Sequence, residues 1–267
     1  RLDESLDMLE IPFQYSDIEP TELTDIFNSL KLKKKYYRLR DGSFLDLNQP
    51  EMESIADLLD NLDINTDELN NQALHLPKYR AMYIDSFLRQ ANLPGIQRNR
   101  AFKQLVQSIL EPQDGEFEIP AELQSVLRDY QKVGFKWLKT LVSFGLGGIL
   151  ADDMGLGKTL EVLAFILSEK PSSSAAAAPA LVIAPTSLVY NWQMEGKKFT
   201  PDLNILVIEG TPEERQKQLT TINQWDLVVT SYPVLRRDIE SFAQHNFSYC
   251  FLDEAQNIKN PQTLNAK

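Results

Sequence analysis

The stretch Asp152-Asp153-Met154-Gly155-Leu156-Gly157-Lys158-Thr159 constrains this chain more than any other. It follows a short apolar run, Gly148-Ile149-Leu150-Ala151, and opens an apolar helical pattern through Leu160, Leu163, Ala164 and Leu167. A strand that turns through two close glycines into a helix is shaped to cradle phosphate. The glycines let backbone N–H groups approach phosphate oxygens with no Cβ in the way. The helix start adds the positive end of its dipole. Lys158 is placed to reach β- and γ-phosphates, and Thr159 to offer its hydroxyl to Mg²⁺. The strictest form of the pattern has Gly where Asp152 stands. The plain alternative is a glycine-containing strand–helix turn that holds nothing.

The rest of the second half agrees with such a loop. Apolar runs recur at Leu181-Val182-Ile183-Ala184, Ile205-Leu206-Val207-Ile208, Leu227-Val228-Val229-Thr230 and Tyr249-Cys250-Phe251-Leu252, separated by helical patterns. Runs of this kind read as strands buried on both faces, and the helices between them as βαβ crossovers. With Gly148–Ala151 the expectation is an open parallel sheet of five strands, its ligand site beyond the carboxyl ends. The last run ends in Asp253-Glu254-Ala255-Gln256. There Asp253 would hold Mg²⁺ through water, and Glu254 would orient the attacking water as general base. Taken alone, an Asp-Glu pair at a strand end is common surface chemistry. Upstream, Leu127-Arg128-Asp129-Tyr130-Gln131 offers an amide able to pair with the N6 and N7 edge of adenine. Tyr130 or Arg128 could lie against the base or a phosphate. The plain alternative is an amphipathic helix start.

The first part of the chain is different in charge. Residues 1–120 carry 13 Lys/Arg against 22 Asp/Glu, and the whole chain has a net charge of −11. Bulk positive charge is therefore not how the chain would meet a polyanion. Residues 1–30 read as short helices. Asp41-Gly42 between Tyr36–Arg40 and Ser43–Leu47 reads as a hairpin closed by a two-residue turn. Its basic-aromatic strand suits either a nucleic-acid contact or an edge strand protected by lysines. Helical spacing follows over 51–63, 78–90, 97–110 and 121–142. The run Glu111-Pro112-Gln113-Asp114-Gly115 breaks the pattern and reads as a linker. Ser172 to Ala178 reads as a low-complexity surface loop.

A single cysteine, Cys250, excludes an intrachain disulfide and a Cys-rich zinc site. Placed within an apolar run, it is expected to be buried and inert. Trp192 is expected in the core rather than as a base-stacking platform. No apolar stretch reads as a membrane span, and a reducing, cytoplasmic setting fits.

These residues resemble the first RecA-like lobe of the Swi/Snf-type ATPases of helicase superfamily two. The resemblance lies in Leu127–Gln131, Gly147–Thr159, Ala184-Pro185-Thr186-Ser187-Leu188-Val189-Tyr190-Asn191-Trp192, Val229-Thr230-Ser231-Tyr232, and Asp253–Gln256 with Lys259-Asn260-Pro261. It covers about residues 121–267, and the family's loop carries an acid where Asp152 stands. The Asp-Glu-Ala-Gln ending is similar to bacterial members. Residues 31–120 resemble, less specifically, the helicase-associated segment that precedes the motor in those proteins.

The resemblance implies a P-loop NTPase: a RecA-like parallel sheet flanked by helices over 116–267, after a mainly helical α+β domain with a β-hairpin over 1–115. It implies ATP held by Gln131, Arg128, Asp153, Met154, Gly155, Leu156, Gly157, Lys158 and Thr159, with Mg²⁺ on Thr159 and Asp253. Lys158, Asp253 and Glu254 would be the catalytic set. Pro185, Thr186, Ser187, Thr230 and Ser231 would lie along a DNA backbone, where hydroxyls and N–H groups bind without sequence preference; N-capping of helices is the alternative role of those hydroxyls. The expected activity is DNA-dependent ATP hydrolysis driving movement on double-stranded DNA, nucleoid-associated in a bacterium. The chain stops soon after Asp253, so the second lobe, whose arginines are worth about 10³–10⁵ in turnover, is expected to be absent and this piece nearly inactive. Residues 1–115 would dock on the motor, regulate it or bind a protein partner. Two other readings stand: a strand-separating enzyme of the same superfamily, and a nucleotide-gated interaction module. A small GTPase is disfavoured, because no guanine-reading Asn-Lys-x-Asp run is present.

Overall fold

The computed structural model describes residues 1–3, 7–12, 20–62, 64, 73–91, 98–111, 117–153, 155–171 and 178–260. The chain divides into two compact units, Arg1–Glu111 and Pro112–Lys267. The linker residues Pro112 to Gly115, Met154, the Ser172–Ala177 tract and Pro261 lie outside the described residues.

The first unit is helices on two small antiparallel sheets. Strands β1 (Leu2–Asp3) and β2 (Met8–Pro12) precede helix α1 (Pro20–Lys31), the hairpin β3 (Tyr36–Arg38) and β4 (Phe44–Asp46), and helix α2 (Pro50–Asn61). Strand β5 (Ala73–Pro77) and helices α3 (Ala81–Gln90) and α4 (Arg100–Leu110) complete it. Thus the expected helices in 1–30 give way in part to strands. Residues Met8 to Pro12 pair with Ala73 to Pro77, and such a distant partner leaves no local trace in the sequence. Helix α4 starts where Asn99 accepts a hydrogen bond from Phe102 N at 3.1 Å, and buries Phe102, Leu105, Val106 and Ile109. That is the i, i+3, i+4, i+7 stripe of an amphipathic helix.

The hairpin forms, but its turn differs from the expected one. Arg38 pairs with Phe44, Leu39 N bonds Ser43 O, and Gly42 N bonds Leu39 O. The connection is therefore a three-residue loop, Arg40-Asp41-Gly42, with only Gly42 at positive φ (+90°). Asp41 accepts hydrogen bonds from Ser43 N and Oγ at 2.8 and 2.7 Å. That side chain stabilises the turn without needing a left-handed backbone of its own.

The second unit begins with a 3₁₀ turn at Ala121–Leu123, and helix α5 runs over Asp129–Ser143. The expected helix over 121–142 is thus split: Gln131 Oε1 accepts from Arg128 N and starts a new helix there. Then come α6 (Lys158–Glu169), β6 (Ala180–Ala184), α7 (Val189–Phe199), β7 (Ile205–Val207), α8 (Pro212–Thr220), β8 (Leu227–Ser231), α9 (Tyr232–Arg237), α10 (Ile239–Phe242) and β9 (Cys250–Leu252). Four strands form one parallel sheet in the order β7-β8-β6-β9. All residues of β6 and β8 are buried, as the continuous apolar runs require. One core face holds Leu163, Phe165, Val182 and Val229, and the other Ile183, Ile208 and Val228.

The fifth expected strand is not formed. Gly148–Ala151 has no ladder partner, and Ile149 is 84% exposed. An apolar run becomes a strand only when it is laid beside a neighbour that accepts its N–H groups, and Gly148–Ala151 pairs with neither outer edge of the sheet, β7 or β9. Cys250 also departs from expectation. It lies on the edge strand β9 and is exposed.

Candidate active site

The phosphate loop is shaped by its two glycines. Gly155 and Gly157 both have φ +84°, and Gly157 occupies the position just before α6. At Gly157 an added Cβ would lie 2.5 Å from Gln131 Nε2, so position 157 requires both left-handed backbone and absent side chain. The loop's polar groups bond to one another. Lys158 Nζ donates to the carbonyls of Asp152 and Asp153 at 2.6 and 3.0 Å. Tyr130 Oη and Gln131 Nε2 both donate to Leu156 O at 2.9 Å. Gln131 is 5% exposed, and both ends of its amide are spent, on Arg128 N and on Leu156 O. The residue expected to read adenine is here a brace on the loop. Arg128 is exposed, its guanidinium 3.4 Å from Tyr130 Oη. Asp153 and Leu156 are exposed, and Thr159 is half-buried in the first turn of α6, its hydroxyl making no hydrogen bond among the described residues.

One turn into α6 stands an acid that sequence reasoning passed over. Glu161 is fully buried, its carboxylate against α5 at Gly134, and neither oxygen has a hydrogen-bond partner. Burial pushes its carboxyl up to about 7; Asp152 adds to the rise and Lys158 opposes it. The only signal in the sequence was an acid at a position facing the core.

The acidic end of β9 is built differently. Asp253 continues the β6 ladder, its N–H bonded to Ile183 O at 2.8 Å. Its carboxylate Oδ2 accepts from Trp192 Nε1 at 2.9 Å, and its carbonyl accepts from Tyr232 Oη at 2.7 Å. Trp192 and Tyr232 are 4% and 5% exposed. Trp192 is therefore a core residue, as expected, with its one polar atom aimed at the acid. Burial pushes the Tyr232 hydroxyl up to about 12, with Asp253 contributing. Glu254 follows in the left-handed region at φ +50°, with its carboxylate bonded to Gln256 Nε2. No hydrogen bond or ion pair among the described residues joins this acidic end to the phosphate loop.

The five residues expected against DNA separate into two groups. Pro185 is half-buried; Thr186 and Ser187 are exposed in the turn after β6, and neither hydroxyl caps α7, whose N-cap position is Leu188. Thr230 is fully buried and its hydroxyl donates to Ile208 O at 3.1 Å. Ser231 is 4% exposed and accepts from Val234 N, capping α9. The hydroxyls of Thr230 and Ser231 are thus spent inside the fold, whereas those of Thr186 and Ser187 face solvent.

Comparison with known proteins places both parts of the chain in described families. Residues 130–267 match the SNF2-related domain family, and residues 1–120 match the family described as bacterial SNF2 helicase associated. Helicase ssl-1 of Caenorhabditis elegans is 40% identical over 179 residues, covering 66% of this chain and 7% of that protein. Helicase swr1 of Schizosaccharomyces pombe is 35% identical over 196 residues, 72% of this chain and 15% of that protein. Among solved structures, the Sulfolobus solfataricus SWI2/SNF2 ATPase core in complex with dsDNA is 41% identical. It covers 52% of this chain and 28% of that one, with a TM-score of 0.46. The matched region is a small part of these longer relatives. No helix of the described residues is long and apolar enough to cross a membrane.

Proposed function

This chain belongs to the SNF2-related domain family, and on that premise we propose that it is the ATP-binding RecA-like lobe of a DNA-dependent ATPase that moves on double-stranded DNA. The observation that carries the reading is the phosphate loop: two left-handed glycines and a lysine leading into α6, in a unit whose sheet ends in Asp253-Glu254.

The donor set fits Mg²⁺. Among the described residues the Thr159 hydroxyl makes no other bond, and Asp253 accepts from Trp192 at Oδ2 and from no side chain at Oδ1. Among the described residues no three His, Cys, Asp or Glu side chains converge, and Mg²⁺ sites of this type need only one or two carboxylates beside waters and phosphates. When bound, the ion neutralises charge on the β- and γ-phosphates. The chain's own groups do the rest. Lys158 exchanges its bonds to the Asp152 and Asp153 carbonyls for phosphate oxygens, and loop N–H groups bind the same oxygens. Glu254 leaves Gln256, orients the attacking water and accepts its proton. Gln131 reads adenine once it releases Leu156. Thr186 and Ser187 meet the DNA backbone.

The longer protein would supply a second lobe with arginines for the γ-phosphate, so the 267-residue chain should bind ATP–Mg²⁺ weakly and turn it over very slowly. Robust DNA-stimulated hydrolysis by this chain alone would sink that division of labour. Replacing Glu254 by Gln in the longer protein should abolish turnover and spare nucleotide binding. Strand displacement by that protein would favour a helicase over a translocase. Residues 1–115 are assigned a docking or regulatory role, tested by whether a chain lacking them changes DNA-stimulated turnover.

A further inference from the structure

Two helices of the second unit reach the same acid. Helix α7 begins after the turn that exposes Thr186 and Ser187, and its Trp192 donates to the Asp253 carboxylate at 2.9 Å. Helix α9 begins after Ser231, and its first residue, Tyr232, donates to the Asp253 carbonyl at 2.7 Å. Both donors are almost fully buried, and both follow the carboxyl end of a central strand, β6 or β8. An N–H that is itself buried and bonded to a carboxylate is strong and directional, because no water competes for the donor.

We propose that Trp192 and Tyr232 are positioning residues for Asp253, and that through Trp192 contact with a DNA backbone at the turn after β6 is felt at the metal-binding acid. The inference rests on the function proposed above. Trp192 fixes which carboxylate oxygen is turned away from the metal and holds the side chain in one rotamer. Tyr232 fixes the backbone from which that side chain springs. A phosphate drawn against Thr186 and Ser187 pulls on the start of α7, five or six residues before Trp192. A shift there is transmitted to Asp253 by one hydrogen bond. The effect on metal affinity follows the pattern of groups behind a metal ligand, whose loss typically costs about 10–100-fold.

The test titrates Mg²⁺ into the 267-residue chain with a fluorescent ATP analogue, and measures analogue binding in EDTA as well. Trp192→Phe keeps an aromatic ring and loses the N–H. Site-specific replacement of Trp192 by benzothienylalanine keeps the full shape and loses the same bond. Both should leave metal-free binding near that of the parent and raise the Mg²⁺ midpoint roughly tenfold; Trp192→Phe also lowers the melting temperature, because it vacates part of a buried site, whereas the benzothienylalanine variant keeps it. Tyr232→Phe should raise it less. In the longer protein, double-stranded DNA should lower the Mg²⁺ midpoint of analogue binding, and this shift should vanish in a Trp192→Phe, Tyr232→Phe pair. An unchanged midpoint in the benzothienylalanine variant overturns the positioning role. A DNA-induced shift that survives in the pair overturns the coupling. Absence of any analogue binding by the parent chain would instead defeat the underlying nucleotide reading, so the failures are told apart.

Discussion

The phosphate loop and the acidic end of β9 are expected to serve one ligand, yet they are held in opposite ways. The loop is exposed and its polar groups satisfy each other: Lys158 bonds two carbonyls of its own loop, and Tyr130 and Gln131 hold the carbonyl of Leu156. Asp253 is gripped from the protein interior by two buried aromatic donors. A ligand at the loop must break bonds before it makes them. A ligand at Asp253 finds the group already placed. The first arrangement gives up affinity to keep a glycine-rich segment ordered without nucleotide. The second spends nothing on reorganisation when charge arrives.

The contrast can be broken most decisively at the acid pair. Glu254→Gln in the longer protein should lower turnover by about 10²–10⁴-fold, measured as phosphate release, with analogue binding unchanged. Lys158→Ala comes next. It should weaken nucleotide binding by roughly 10–100-fold, the worth of a hydrogen bond to a charged group, by equilibrium titration. Gly157→Ala should both destabilise the chain, by about 1–2 kcal/mol for a left-handed Cβ, and weaken binding, by melting and titration together. Tyr130→Phe sharpens the comparison with a change of sign. It removes one of the two bonds that hold Leu156, so nucleotide binding should tighten by a few-fold, on the order of a neutral hydrogen bond's net worth. Loss of a partner at Asp253 should do the reverse.

Glu161 supplies a pH signature, on stability alone. Burial raises its carboxyl to about 7, so the folded chain holds that proton more tightly than the unfolded chain does. The sign follows: stability is undiminished below the ordinary carboxylate range, falls as pH rises from there to about 7, and stays lowered above it. Glu161→Gln should therefore raise stability at pH 8 by about 2 kcal/mol, less than the full shift implies because the amide still lacks partners, with little gain at pH 4. Thermal melts at the two pH values check it.

Most of this site was legible in the sequence because its signals are local. The glycine spacing, the lysine and the apolar helix behind them lie within one short segment, and the runs at Leu181 and Leu227 are apolar throughout because both faces of β6 and β8 are covered. What escaped were pairings between distant segments. Trp192 and Asp253 are 61 residues apart, and Tyr232 and Asp253 are 21 apart. No periodicity announces such bonds. The β2–β5 ladder escaped for the same reason. Gly148–Ala151 misled in the other direction: it has a strand's composition but makes no ladder pairing. Gln131 was legible as an amide near the loop; that the amide is occupied by Leu156 was not.

The left-handed turn at Glu254 carries a cost that its neighbours do not share. Any side chain at that position is crowded by its own backbone, and glycine would be relieved of the crowding. On the function proposed above, folding and chemistry pull against each other at a single residue: glycine there would relieve the backbone and remove the carboxylate.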